Sequence, residues 1–129
     1  MRKLDKESVI AITALLVHAA NIDEIYSEHE KDLIKDFIRS YLRDVKVNEI
    51  LMEAEEIEKN SNQLLNYTNI IKKNSLDVKK DIVEHLWKVI ISDNSVDQYE
   101  SNLMRRICGL IYFPDKECAE IKLKLLQSK

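Results

Sequence analysis

The sequence predicts an all-α, single-domain bundle of six or seven helices, spanning residues 1–129 without a linker. Three observations carry this. Apolar residues recur at three- and four-residue spacing along most of the chain, the period of a helix with one buried face. One Gly and one Pro in 129 residues leave few places to break helices or build hairpins. Finally, one block occurs twice at an offset of 70 positions: an apolar helix, an acidic turn and an amphipathic helix. The offset places Asp23 on Asp93, Tyr26 on Val96, Ser27 on Asp97 and Glu30 on Glu100. Upstream, Ile12, Leu16, Ala19 and Ala20 fall on Ile82, Leu86, Val89 and Ile90. Downstream, Leu33, Ile34, Phe37, Ile38 and Tyr41 fall on Leu103, Met104, Ile107, Cys108 and Ile111. The expected fold is therefore a pair of helix-turn-helix units, about 8–43 and 78–112, related by a pseudo-twofold and sharing one interior.

Each element has its own signal. From about Lys6 to Asn21, Val9, Ile10, Ile12, Leu15, Leu16, Ala19 and Ala20 form a wide apolar face, broadened by Val17. Ser27-Glu28-His29-Glu30 is a capping box that starts a second helix, Glu28 to about Arg43, burying Leu33, Ile34, Phe37, Ile38, Tyr41 and Leu42. Val47, Ile50, Leu51 and Ile57 indicate a third, in which Glu53, Glu55, Glu56 and Glu58 read as a solvated face. Asn60-Ser61-Asn62 separates it from a helix carrying Leu64, Leu65, Ile70 and Ile71, and Asn74-Ser75 is the next break. Asp77 to Ser92 then buries Ile82, Val83, Leu86, Trp87, Val89 and Ile90. Asp97-Gln98-Tyr99-Glu100 is a second capping box, opening a helix from Gln98 to about Ile111. Pro114-Asp115 stops that helix and starts a last one, Lys116 to Gln127, expected to pack through Ala119, Ile121, Leu123 and Leu126.

Composition excludes several functions. A formal charge of -3 and basic runs of no more than two residues, such as Lys72-Lys73 and Arg105-Arg106, give no phosphate-binding face, so no nucleic-acid partner is expected. The longest nearly apolar stretch, Val9 to Ala20, is too short to cross a bilayer, and Met1-Arg2-Lys3 does not lead into a secretory signal. A cytoplasmic location with reduced Cys108 and Cys118 follows as an expectation, Cys108 acting as a small buried hydrophobe. His18, His29 and His85 stand apart and neither cysteine has zinc-ligand spacing. His18 and His85 read as partly buried structural residues. No strained nucleophile elbow is present, and carboxylates at helix starts are held ionised by N–H groups, so enzyme activity is not expected.

With both acidic turns placed, the chain resembles the tellurite-resistance TerB family, all-helical proteins with two turns of the form Ala-Asp-Gly-x-Ile/Val-x-x-x-Glu. The resemblance covers essentially the whole chain. Its most specific part is Leu86-Trp87-Lys88-Val89, Asp93 through Glu100, Leu103 through Ile107 and Leu110 through Asp115. Glu24 and Asn94 stand where the family has Gly. The resemblance implies an accessory protein of a bacterial stress or tellurite-resistance-like system, with a divalent cation held by the acidic turns.

The residue chemistry leaves two readings open. Hard cations such as calcium or magnesium need clustered oxygen ligands, and Asp93, Asp97 and Glu100 form the richer set, Asp23, Ser27 and Glu30 the poorer. The same residues are also explained as helix caps and turn formers. In the first reading the turns bind a cation or small charged ligand. In the second they only cap helices, and the protein is a scaffold or homo-oligomer whose contact residues include Tyr26, Tyr99 and Tyr112.

Overall fold

The computed structural model describes residues 4–21, 26–43, 46–60, 64–91 and 98–127, the side chains of 64–66, 98 and 99 excepted. Seven helices are present among these residues: α1 (Lys6–Ala20), α2 (Glu28–Tyr41), α3 (Val47–Asn60), α4 (Leu64–Lys72), α5 (Leu76–Ile90), α6 (Gln98–Leu110) and α7 (Asp115–Gln127). None of them is long and apolar enough to cross a membrane.

Helix α1 is the axis of the bundle. Asp5 caps it by accepting from Ser8 N–H at 2.7 Å, and Thr13, fully buried, satisfies its hydroxyl on the Val9 carbonyl at 2.6 Å. That local bond lets a polar residue sit in an otherwise apolar surface, so α1 buries nearly its whole circumference, with α2, α3, α4 and α5 packed around it.

The helix boundaries repeat at the offset seen in the sequence. Adding 70 to Lys6–Ala20 gives Leu76–Ile90, and adding it to Glu28–Tyr41 reaches Gln98 and ends one residue past Leu110. N-caps Asp5 and Ser75, and C-caps Asn21 and Ile91, are equivalent as well. Burial follows suit: Ile12/Ile82, Leu16/Leu86, Ile34/Met104, Phe37/Ile107 and Ile38/Cys108 are all fully buried. The repeat extends to a third helix. α3 packs on α1 and α2 as α7 packs on α5 and α6, and Val47, Ile50 and Ala54 occupy the inward positions taken by Cys118, Ile121 and Leu125, an offset of 71. Only α4 has no counterpart; it lies against α1, α5 and α6.

Several expectations are corrected. α7 does not pack through Ala119 and Leu123, which are exposed; Cys118 and Ile121 are buried, with Leu125 and Leu126 against the core. Both sets have helical spacing, so periodicity alone could not choose between them; the corner between α6 and α7 does. There Tyr112 takes a left-handed conformation (φ 60), while Phe113 N–H bonds the Cys108 carbonyl at 2.8 Å and Tyr112 N–H the Gly109 carbonyl at 3.3 Å. This is a Schellman-type stop that buries Phe113 and fixes the face α7 presents. Helix α2 ends at Tyr41 rather than Arg43, leaving Leu33, Tyr41 and Leu42 half-buried, and Ile57 is exposed.

Candidate functional site

Each helix-turn-helix unit places a glutamate at the third position of its second helix, and both are buried: Glu30 is 7% exposed and Glu100 5%. Apart from Thr13 and Thr68 they are the polar side chains buried among the described residues. At the first corner the reason is visible. Ser27 Oγ accepts from Glu30 N–H at 3.1 Å and Glu30 Oε1 accepts from Ser27 N–H at 2.8 Å, the complete capping box predicted from the sequence. A carboxylate so placed also meets the positive end of the helix dipole, which favours its ionised form.

Of the remaining predicted cation ligands, Asp23, Asp93 and Asp97 lie outside the described residues. Among the described residues no three His, Cys, Asp or Glu side chains gather as a metal site.

Helix α3 contributes to the first corner in a way its charge run concealed. Tyr26 donates its hydroxyl to Glu55 Oε2 at 2.8 Å, and Asn21 Nδ2 donates to Glu58 Oε1 at 3.1 Å. Both glutamates are half-buried, so the solvated-face reading holds only for Glu53 and Glu56. Burial, the Glu55 acceptor and the nearby charges of Glu30 and Glu28 push the Tyr26 phenol well above its ordinary range. Lys31 Nζ sits 5.0 Å from the centre of its ring. Tyr26, Glu30 and Glu55 thus form an ordered polar cluster at the α1–α2 corner.

Two histidine and cysteine arrangements also emerge. His85, half-buried as expected, donates Nδ1–H to the Asp81 carbonyl at 2.8 Å and packs edge-on to Phe37, while Tyr41 donates to Asp81 Oδ2 at 2.6 Å. This joins α2 to α5. The cysteines, ten positions apart on successive helices, meet in space: Cys108 Sγ donates to Cys118 Sγ at 3.0 Å, and Trp87 Nε1–H donates to the same Cys118 sulfur at 3.3 Å. Both thiols are free in the structure. Their separation matches no ligand motif. The available signal was Pro114-Asp115 between them, which folds α7 back onto α6.

An open cavity of about 520 Å³ adjoins this pair, lined by Trp87, Ser101, Met104, Arg105, Asp115, Cys118, Ala119 and Lys122. Cys118 reaches its edge at 6% exposure, whereas Cys108 is sealed. The hydrogen bond from Cys108, aided by Trp87 and Lys122 and opposed by burial and Asp115, brings the Cys118 pKa down to about 7. The same bond, with burial, drives Cys108 far upward, so Cys108 holds the shared proton.

The family model described as Tellurite resistance protein TerB matches residues 9–123. No curated protein and no solved structure matches the chain.

Proposed function

The chain belongs to the tellurite resistance protein TerB family, and from that premise we propose that it is a non-enzymatic accessory protein of a bacterial stress or tellurite-resistance-like system that binds a divalent cation at its acidic corners. The observation that carries this reading is the pair of buried glutamates, Glu30 and Glu100, at equivalent positions of two repeated units. Burying a carboxylate is costly unless N–H groups or a cation compensate it, and doing so twice at the same place gives each corner an anionic anchor. Asp93 and Asp97 add oxygens to the Glu100 corner in sequence, the ligand type that calcium or magnesium prefers.

Thermal melting with and without millimolar calcium or magnesium tests it. The melting temperature rises with the ion, and the rise disappears in Asp93→Ala and Glu100→Ala. A melting curve unmoved by either ion rejects the reading. It would favour the second reading, a protein-docking scaffold or homodimer, for which Tyr112, 69% exposed, is an accessible contact residue. Light scattering on the purified protein then reports self-association.

A further inference from the structure

We propose that Cys108 and Cys118 form a dithiol–disulfide exchange site, with Cys118 as the attacking sulfur and Cys108 as the resolving one. The repeat supplies the first argument. In the other unit the positions of Cys108, Trp87 and Cys118 are held by Ile38, Val17 and Val47, so hydrocarbon suffices to pack this part of the fold. Two thiols and an indole N–H are not a packing requirement.

Geometry supplies the second. The sulfurs lie 3.0 Å apart, and closing by about 1 Å more reaches bonding distance. Cys118 accepts two hydrogen bonds, from Cys108 and Trp87, which stabilise a thiolate. It is also the cysteine bordering the open cavity, where Arg105 and Lys122 provide positive charge and Asp115 negative. Cys108, buried behind it on α6, can be reached by the sulfur of Cys118 but not from solvent.

The substrate class is a small, negatively charged disulfide. The Cys118 thiolate attacks one sulfur of RSSR, its S–S bond breaks, and RS⁻ leaves as the first thiol after taking up a proton. Cys108 then loses its proton and attacks Cys118 Sγ, forming the intramolecular disulfide and expelling the second RSH. The protein pair is oxidised by two electrons, the small disulfide is reduced to two thiols, and the two protons of the dithiol end on the products.

Oxidised glutathione is the probe. The reduced wild-type protein, exposed to it near neutral pH and quenched with a maleimide, should lose both thiols together, form no intermolecular disulfide, weigh two hydrogens less per chain, and return to the dithiol with dithiothreitol. Cys108→Ser should accumulate a stable glutathione adduct at Cys118, while Cys118→Ser should react at Cys108 on the order of tenfold more slowly or less. Persistence of both wild-type thiols, a lasting wild-type adduct, an intermolecular dimer, or equal reactivity of the two variants would overturn the proposal. The wild-type measurement needs no substitution in the core, so it decides even if a serine variant fails to fold. It reads sulfur alone, and so stands or falls independently of cation binding.

Discussion

The two repeated units solve the same packing problem with different chemistry. In the first, the corner between α1 and α2 is tied down by oxygen: the Ser27–Glu30 box, Tyr26 on Glu55 and Asn21 on Glu58, two of these bonds arriving from α3. The inner positions behind it are the hydrocarbons Val17, Ile38 and Val47. In the second, the inner positions carry Trp87, Cys108 and Cys118, joined by hydrogen bonds to sulfur, and Leu126, the residue of α7 aligned with Glu55, supplies no carboxylate. The lesson is that the fold requires only apolar volume on the inside of each unit. Among the described residues the further polar bonds differ, running from the corner to α3 in the first unit and to sulfur within the helix triangle of the second.

The comparison assumes one shared core, and the largest effects test that assumption. Phe37→Ala should cost about 3–5 kcal/mol and its counterpart Ile107→Ala about 2–5 kcal/mol, since both side chains are fully buried. Each should shift one common urea transition; two separated transitions would mean that the units unfold independently.

A smaller effect distinguishes the corners. Tyr26→Phe removes the bond to Glu55, for which the second unit has no equivalent because Val96 stands there. The expected loss is about 1–2 kcal/mol in chemical denaturation, partial exposure keeping it at the low end for a hydrogen bond to a charged group. Its pH dependence has a definite sign. The folded-state pKa lies above the ordinary 10.0, so the contribution is complete below pH 10.0 and falls away above it, where the unfolded phenol ionises and the folded one does not. The stability gap between wild type and Tyr26→Phe should therefore narrow as melts are taken at progressively higher pH above that value.

The smallest effect concerns the stop between α6 and α7. Tyr112→Gly relieves a left-handed non-glycine residue, worth about 1–2 kcal/mol, but gives up the Lys72 ammonium 4.8 Å from the ring, worth about 0.5–1 kcal/mol. A net gain of roughly 0.5–1 kcal/mol in urea midpoint terms is expected. A loss would show that the ring contributes more than the backbone costs.

The first unit was almost fully legible in the sequence, because its capping box, its helix spacing and its burial are local properties of consecutive residues. Ser27 and Glu30 could be paired from their separation alone. Glu55 and Glu58 could not be recognised as partners of Tyr26 and Asn21, since a helix with several glutamates looks the same whether one face is wet or docked. The cysteine pair was hidden for a similar reason. Ala119 and Leu123 keep as regular a helical spacing as Cys118, Ile121 and Leu125, and the turn at Tyr112, set by backbone geometry, decides which of them face inward. Asp23, Asp93 and Asp97 lie outside the described residues, so the corners' full oxygen inventory rests on sequence.

Helix α4, alone in lacking a twin, spans nine residues, shorter than a peptide needs to stay helical in water by itself. Its order is borrowed from α1 on one side and α5 and α6 on the other. It therefore works as a latch across the seam: amide exchange should begin there, and once it lets go, the main faces still joining the two triangles among the described residues are those that α1 and α2 share with α5.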